Sequence, residues 1–287
     1  MTFMLEYHHR GFNSALFCEI VIDAPFAASS DLGGAAMTAP TTRIPLLRPV
    51  APVFFGAGMT NSGMIRERNE DSILTDPSGA LWAVADGMGG YGNGDKASDI
   101  VIECLSTVPD DALAGPALQA RLKEANARIR AHSLRTLSGN IGATAVAMLI
   151  QNSVAHLAWA GDCRAYLMRA RQLRLMTHDH TVVQDLVDQG LLAEPRREGH
   201  PEAHVVTRAV GYQDHIEIET RAVPLVPGDR VLLCSDGLTT CIGDQEIADH
   251  MAAAASPEGL CRSLMKAALD AGAPDNVSVI GVFAREG

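Results

Sequence analysis

The sequence predicts an α+β fold in which antiparallel sheets are covered by helices. Short apolar runs of strand length are bounded by turn residues, and three longer segments have apolar residues at helical spacing. The helical segments separate groups of strands without strict strand–helix alternation, a pattern typical of antiparallel sheets. A domain of a few hundred residues is large enough to bury a sizeable core.

Five apolar runs are predicted to be strands: residues 81–85, 143–150, 154–160, 165–168 and 231–234. Asn152-Ser153 and Gly161-Asp162 are turn sequences between consecutive runs. Closely spaced strands joined by tight turns favour antiparallel pairing, so the sequence predicts a meander of adjacent strands.

Three segments are predicted to be helices: residues 95–105, 116–137 and 257–271. In the second segment, Leu118, Leu122, Ala125 and Ile129 recur at spacings of three or four residues. That spacing places them on one face of a helix, which is expected to pack against the core.

Residues 1–52 differ in composition from the rest of the chain. Pro, Ala, Ser and Thr cluster between Ala24 and Pro52, and such a segment cannot easily bury a core. The sequence therefore predicts a flexible N-terminal extension over 1–52 and a single domain over 53–287. Met37 opens a plausible shorter protein, so part of the extension is interpreted as a mis-called start.

Charge and cysteine usage narrow the functional classes. A formal charge of −11, from 34 acidic and 23 basic residues, argues against nucleic-acid binding, which needs a basic surface. The six cysteines have no zinc-site spacing and are interpreted as reduced core thiols, which favours a reducing compartment. No apolar run reaches the roughly 18 residues of a membrane span. The expectation is a cytoplasmic protein without membrane insertion.

Three aspartates stand beside apolar strands. Asp86 and Asp236 each follow an apolar run and precede a glycine, whereas Asp275 leads into a strand. A carboxylate at a rigid strand end can meet others at one point, and Mg²⁺ or Mn²⁺ prefers such oxygen ligands. A single Asp-Gly pair is more often a turn, but three such acids across the chain indicate a metal site.

A set of motifs in fixed order identifies a family resemblance. Residues 63–72 (GMIRERNEDS) look like the opening motif of the PPM family, the protein phosphatase 2C-like enzymes, and residues 86–90 (DGMGG) resemble its second motif in the bacterial form. Residues 142–145 (GATA), 160–165 (AGDCRA), 235–238 (SDGL) and 275–276 (DN) follow in family order. The resemblance extends from about residue 60 to residue 284.

The resemblance implies an α-β-β-α sandwich of two mainly antiparallel sheets flanked by helices. It implies hydrolysis of phosphoserine and phosphothreonine in proteins by a hydroxide that bridges two metal ions. Such an enzyme counteracts serine/threonine kinases, so its expected partners are phosphorylated proteins and a cognate kinase. A monomer is expected.

The resemblance also assigns the metal ligands. Asp86 bridges two Mn²⁺ or Mg²⁺ ions, the carbonyl of Gly87 binds one of them, and Asp236 and Asp275 bind the other. Glu70 reaches the metal centre directly or through water.

Four further positions complete the implied site. Asp162 corresponds to a ligand of a third, weaker ion that it shares with Asp236. Asp71 and Asn276 orient the ligands, a role that outer groups commonly have in metal sites. Arg66 grips the substrate phosphate, which its planar guanidinium suits, and a salt bridge with Glu67 or Glu70 is the alternative.

Two features of the sequence bear on catalysis. Eukaryotic members have a histidine two residues after the bridging aspartate, proposed as the general acid, but here that position is Met88. A thioether cannot deliver a proton, so the acid stays unassigned. Residues 177–211 resemble the flap segment of bacterial members, a helical excursion whose histidines are expected to serve capping and packing.

Two other functions compete with the phosphatase. A catalytically silent pseudophosphatase would bind phosphoproteins without turnover, but it has no reason to retain a costly cluster of acids. A different two-metal hydrolase, such as a nuclease, would need a basic groove, which the composition argues against.

Deleting residues 1–36, so that the chain begins at Met37, is expected to leave activity and thermal stability nearly unchanged. The reason is that this composition offers little buried surface to lose. Calorimetry and a phosphatase assay on the truncated and full chains measure both quantities. A large fall in melting temperature would contradict the expectation by showing that the segment packs on the domain.

Overall fold

The computed structural model describes residues 51–76, 79–89, 93–136, 139–197 and 199–287. The predicted extension over 1–52 therefore lies outside the described residues, except for its last two positions. None of the helices in the described ranges combines the length and the apolar character that a membrane crossing requires.

Ten strands and six α-helices form within the described ranges. The strands are β1 (Pro52–Asn61), β2 (Asp71–Thr75), β3 (Leu81–Gly89), β4 (Ile141–Gln151), β5 (Val154–Ala160), β6 (Arg164–Arg169), β7 (Gln172–Leu175), β8 (Glu219–Pro224), β9 (Arg230–Cys234) and β10 (Val277–Glu286). The helices are α1 (Gly94–Leu105), α2 (Ala114–Thr136), α3 (Val182–Asp188), α4 (Asp236–Thr239), α5 (Asp244–Ala253) and α6 (Pro257–Asp270), with a 3₁₀ turn at Glu194–Arg196.

The strands form two five-stranded sheets in which the neighbouring strands pair antiparallel. The first sheet has the order β1-β10-β9-β6-β7, and the second has the order β2-β3-β4-β5-β8. Helices α1 and α2 pack on the second sheet, and α6 packs on the first. The expected α-β-β-α sandwich is confirmed.

The hydrophobic core has three layers because both sheets are buried on both faces. Along β3, Trp82 and Val84 point between the sheets, whereas Ala83 and Ala85 point toward α1 and α2. This alternation follows from the two-residue period of a strand. Trp159 on β5 joins Trp82 between the sheets, and these two rings fill much of the central layer.

The predicted helices are confirmed within about two residues at their ends. The stripe of Leu118, Leu122, Ala125 and Ile129 on α2 is fully buried. Helix α6 begins where Ser256 accepts a hydrogen bond from the Gly259 N–H and Pro257 takes the first helical position. Both are favoured helix-start residues, because a capping hydroxyl satisfies a free N–H and proline has none to satisfy.

The predicted meander is wrong at one turn. Strands β4 and β5 pair across Asn152-Ser153, but β5 and β6 lie in different sheets. The chain crosses between the sheets at Gly161-Asp162, where Gly161 has a positive φ of 105°. A local turn signal does not distinguish a hairpin from such a crossing, because the difference lies in which distant strand accepts the backbone hydrogen bonds.

The thiol interpretation is confirmed for the described cysteines. All five are unpaired, and Cys104, Cys163, Cys234 and Cys261 are buried, while Cys241 is partly exposed. Cys18 lies outside the described residues. Burial raises the pKa of the Cys234 and Cys261 thiols to about 12, so these side chains act as small apolar groups.

Candidate metal centre

Five aspartates from separate segments meet at one edge of the two sheets. Asp71 begins β2 and lies opposite Asp86 near the end of β3. Asp236 follows the end of β9, Asp275 immediately precedes the start of β10, and Asp162 lies in the crossing after β5. Their electrostatic coupling shows their proximity: Asp86 is influenced by each of the other four.

The pKa values of four of these carboxyls lie above the ordinary value because burial and mutual repulsion disfavour their charged forms. Burial, followed by repulsion from Asp71, Asp236, Asp162 and Asp275, raises the pKa of Asp86 well above 3.8. Burial raises the pKa of Asp71 and of Asp236 to about 6, and that of Asp162 to about 8.

Backbone groups beside Asp86 are held at close range by glycine. The Gly87 N–H donates to the carbonyl of Glu70 (3.1 Å), and the Gly94 N–H at the start of α1 donates to Glu70 Oε1 (3.1 Å). A Cβ at Gly87 would lie 2.1 Å from the Gly94 carbonyl oxygen, which no real Cβ tolerates. The sequence at this position is therefore fixed by the close approach of α1 to the end of β3.

Asp71 is held by two serine hydroxyls. Its Oδ2 accepts hydrogen bonds from Ser235 (2.9 Å) and Ser278 (2.6 Å). Ser235 directly precedes Asp236, and Ser278 lies shortly after Asp275 in the chain. Its Oδ1 is buried and has no hydrogen-bond partner, a situation found for no other buried side-chain polar atom in the described ranges. One oxygen thus fixes the carboxylate while the other is left facing the acidic cluster.

Asn276 joins the opening motif to Asp275. Its Oδ1 accepts from the Glu70 N–H (2.7 Å), and its Nδ2 donates to the carbonyls of Ser62 and Arg68 (both 2.9 Å). Its own N–H donates to Asp275 Oδ1 (2.8 Å). These contacts fix the position of Asp275 relative to the opening motif.

Arg66 lies at the rim of the cluster. Its Nη2 donates to Asp275 Oδ2 at 2.7 Å, and its side chain is 58% exposed. The alternative partners considered from the sequence, Glu67 and Glu70, are not the ones that it contacts. The carboxylate of Asp275 raises the pKa of the guanidinium further, so the side chain is a permanent cation beside the acids.

The cluster does not form a closed cage. In the described part of the chain, no three His, Cys, Asp or Glu side chains are already arranged as a metal-binding group. The donor set is nevertheless one of carboxylate and backbone oxygens, which suits hard divalent cations such as Mg²⁺ or Mn²⁺. A cation would also relieve the repulsion that raises the pKa values of these aspartates.

A cavity of about 260 Å³ adjoins the cluster. Asp162 and Asp236 line one part of it, and the segment over residues 177–211 supplies another part through Asp179, Arg197 and His204. Buried Asp179 binds Arg164 through both carboxylate oxygens and also binds Arg197, so it connects this segment to β6. The segment contains helix α3 and the 3₁₀ turn.

The four histidines of this segment have different surroundings. His178 bonds to Asp188, His180 is buried, and His200 accepts from the Glu202 N–H, as packing and capping predict. His204 is the exception: its side chain is 67% exposed, and its Nδ1 lies 4.0 Å from Asp236 Oδ2. No local pattern relates residue 204 to residue 236, so the sequence alone does not predict this approach.

Thr144 also belongs to the site, although its sequence pattern predicts no separate role for it. This buried residue lies opposite Asp86 in the β3–β4 pair, and its hydroxyl hydrogen-bonds the thiol of Cys163, the residue after Asp162 (3.2 Å). Its place within the 142–145 motif was the available signal.

Known proteins resemble this chain over most of its length. The family model described as Protein phosphatase 2C matches residues 58–186. The serine/threonine protein phosphatase PstP of Mycobacterium tuberculosis (strain CDC 1551 / Oshkosh) is 34% identical over 229 residues, which is 78% of this chain and 44% of PstP. The chain thus spans less than half the length of that relative.

Two further proteins match the chain over nearly their whole length. The serine/threonine phosphatase Stp of Listeria welshimeri is 32% identical over 233 residues, 77% of this chain and 92% of Stp. The solved catalytic domain of PstP in complex with two manganese ions superposes with a TM-score of 0.72 at 33% identity, covering 82% of this chain and 99% of that one.

We expect the metal-free protein to lose stability as the pH rises from about 4 to about 8. Four acids, Asp71, Asp86, Asp162 and Asp236, have pKa values in the folded state that lie above the unfolded value of 3.8. Their contribution to stability is therefore fully present below pH 3.8. It is lost as the pH rises through the folded-state pKa values of about 6 for Asp71 and Asp236 and about 8 for Asp162. Calorimetry at a series of pH values in the presence of a chelator measures this loss of stability, since each kcal/mol of unfolding free energy lost lowers the melting temperature by about 2–4 °C.

Asp162→Asn is the matched variant for the upper part of this range. It removes the carboxyl whose pKa is about 8 and should flatten the fall in melting temperature between pH 6 and 8. Equal slopes for the variant and the wild type would contradict the assignment of this fall to the cluster.

Proposed function

Because this chain belongs to the protein phosphatase 2C family, we propose that it is a metal-dependent phosphatase acting on phosphoserine and phosphothreonine in proteins. The observation that supports this most directly is the meeting of Asp86, Asp236 and Asp275, from three separate elements, at one edge of the sheets. Relatives that match over most of their length carry the name of serine/threonine phosphatases. The substrates are then the products of serine/threonine kinases.

The proposed cofactor is a pair of Mn²⁺ or Mg²⁺ ions, as the manganese complex of the PstP domain suggests. Asp86 would bridge the pair, the Gly87 carbonyl would bind one ion, and Asp236 and Asp275 would bind the other. Glu70 would reach the metal centre, directly or through water. Asp162 and Asp236 together would hold a third, more weakly bound ion.

The residues present fit such ions for reasons visible in this structure. Burial and mutual repulsion raise the pKa values of four acids, and Asp71 leaves one buried oxygen without a hydrogen-bond partner beside them. Close packing at Gly87 holds its peptide against Glu70, so the carbonyl would have little freedom to lose on binding. Preorganised ligands lower the cost of binding an ion.

When bound, divalent cations supply Lewis acidity, which lowers the pKa of water from about 15.7 toward neutrality and offsets phosphate charge. The chain's own residues position the reactants. Asp71 and Asn276 hold the ligand loops through Ser235, Ser278 and Glu70.

Arg66 would grip the phosphate. A guanidinium has five N–H groups, so its bond to Asp275 leaves donors for two phosphate oxygens.

Met88 lies on β3 two residues after Asp86 and cannot protonate the departing serine or threonine oxygen. That proton must come from another group.

A cytoplasmic monomer is the proposed form, supported by the reduced thiols and by the acidic composition. A catalytically silent binding protein remains the alternative, but no observation favours it, since every carboxylate of the cluster is present.

We expect Asp86→Ala and Asp236→Ala each to abolish hydrolysis of a phosphopeptide or a chromogenic phosphomonoester assayed with Mn²⁺. The reason is that each removes an oxygen ligand for which the cluster has no substitute. Asp249→Asn is the matched control, because it changes an exposed acid on α5 away from the cluster. Turnover above a tenth of wild type in either alanine variant would show that the ligand assignment is wrong.

Mn²⁺ should also raise the melting temperature, because ions that bind only the folded state stabilise it by about 2.7 kcal/mol per site at a hundredfold excess over Kd. Asp162→Asn should spare most of this rise and lower turnover, since the core pair does not depend on it. Calorimetry of both proteins with and without Mn²⁺ tests this. A rise that disappears in Asp162→Asn would show that the core ligands are misassigned.

A further inference from the structure

His180 is buried at the base of the 177–211 segment and bonds to Gly161 in both directions. The Gly161 N–H donates to His180 Nδ1 (2.9 Å), and the His180 N–H donates to the Gly161 carbonyl (3.0 Å). The side chain is only 5% exposed. A paired contact of this kind fixes both the distance and the orientation of the two peptide units.

Gly161 directly precedes Asp162 and has a conformation that needs a fixed partner. Its φ is 105°, and a Cβ there would lie 2.3 Å from the side chain of Thr144. Glycine is the most conformationally free residue, so its peptide is poorly determined unless neighbours bind it. The bond to His180 thus holds the peptide from which the Asp162 carboxylate projects.

The other ring nitrogen, Nε2, faces Glu219, which begins β8 beyond the end of the segment. Because Nδ1 accepts a hydrogen bond, the neutral ring has its proton on Nε2, which donates to Glu219 Oε1 at 3.0 Å. Arg208 Nη1 lies 3.0 Å from Nε2 and donates to the same carboxylate oxygen (3.4 Å), and the Thr207 N–H donates to the His180 carbonyl (2.8 Å). The outgoing and returning ends of the segment are therefore joined at His180.

We propose that His180 is a positioning residue that sets both the Asp162 loop and the 177–211 segment. It acts through two separable links: Nδ1 to Gly161 determines the placement of Asp162, and Nε2 to Glu219 determines the closure of the segment. The predicted effect on turnover rests on the proposed phosphatase function. The effects on ion binding and on segment closure are measured without assuming that function.

Two near-isosteric variants separate the links. In His180→Asn, the side-chain oxygen can replace Nδ1 as acceptor for Gly161, but nothing reaches Glu219. In His180→Gln, the terminal amide N–H can replace Nε2 toward Glu219, but the acceptor for Gly161 is lost. His178→Ala is the matched control, because it removes a histidine–carboxylate bond in the same segment without touching Gly161.

The first readout is Mn²⁺ titration calorimetry. His180→Gln should weaken the ion that depends on Asp162 by about tenfold, the usual effect of losing a group that orients a ligand, while the other ions bind as in wild type. His180→Asn and His178→Ala should retain wild-type affinity. In a phosphopeptide assay, His180→Gln should lower kcat with little change in KM.

The second readout is limited trypsin digestion followed by mass spectrometry. Arg197 lies within the segment, and its side chain is only 15% exposed because it binds Asp179, so cleavage after it reports segment opening. His180→Asn should be cleaved there several times faster than wild type. His180→Gln and His178→Ala should be cleaved at about the wild-type rate.

The outcomes separate the two proposals. Wild type without phosphatase activity would overturn the proposed function while the calorimetry and digestion still test His180. If both His180 variants only lower the melting temperature, with wild-type ion affinity and cleavage rate, the residue has a purely structural role and the inference is overturned. The same holds if His178→Ala reproduces the effects of His180→Gln.

Discussion

Repulsion among aspartate carboxylates at one edge of the two sheets is the constraint on which the rest of the site depends. Isolated, these groups would separate or take up protons, and the raised pKa values of Asp86, Asp162 and Asp236 express that tendency. The sandwich keeps them together because each lies at or near the end of a strand whose register is fixed by a buried layer on both faces. The free energy of core packing is thus partly offset by the assembly of the site.

Hydrogen bonds around the cluster convert this crowding into a defined arrangement. Asp71 begins a strand of the second sheet, but its carboxylate is bound by two hydroxyls from the first sheet, those of Ser235 after β9 and Ser278 on β10. Asn276 similarly connects the opening motif with Asp275. The two sheets therefore meet through polar contacts at this edge as well as through the apolar layer. Such contacts suit a centre that must bind cations without rearranging.

The segment over residues 177–211 is joined to the cluster by a small number of buried polar groups. Asp179 binds arginines of β6 and of the segment, while His180 bonds to the peptide before Asp162. Movement of this segment and placement of Asp162 are therefore coupled by hydrogen bonds rather than by apolar packing alone. Segments of this kind commonly control access to an active site.

The sequence by itself determined the fold class, three helices, five of the ten described strands and the acids that meet at the candidate metal centre, because these depend on local periodicity and on ordered motifs. Pairing of β1 with β10, the crossing of the chain at Gly161, the ion pair of Arg66 with Asp275 and the approach of His204 to Asp236 were decided only by the tertiary structure. Each of these features joins residues that are distant in the chain, or depends on which strand pairs with the free backbone N–H and C=O groups of another. Local sequence does not contain that choice, since it is made by the packing of the whole sandwich.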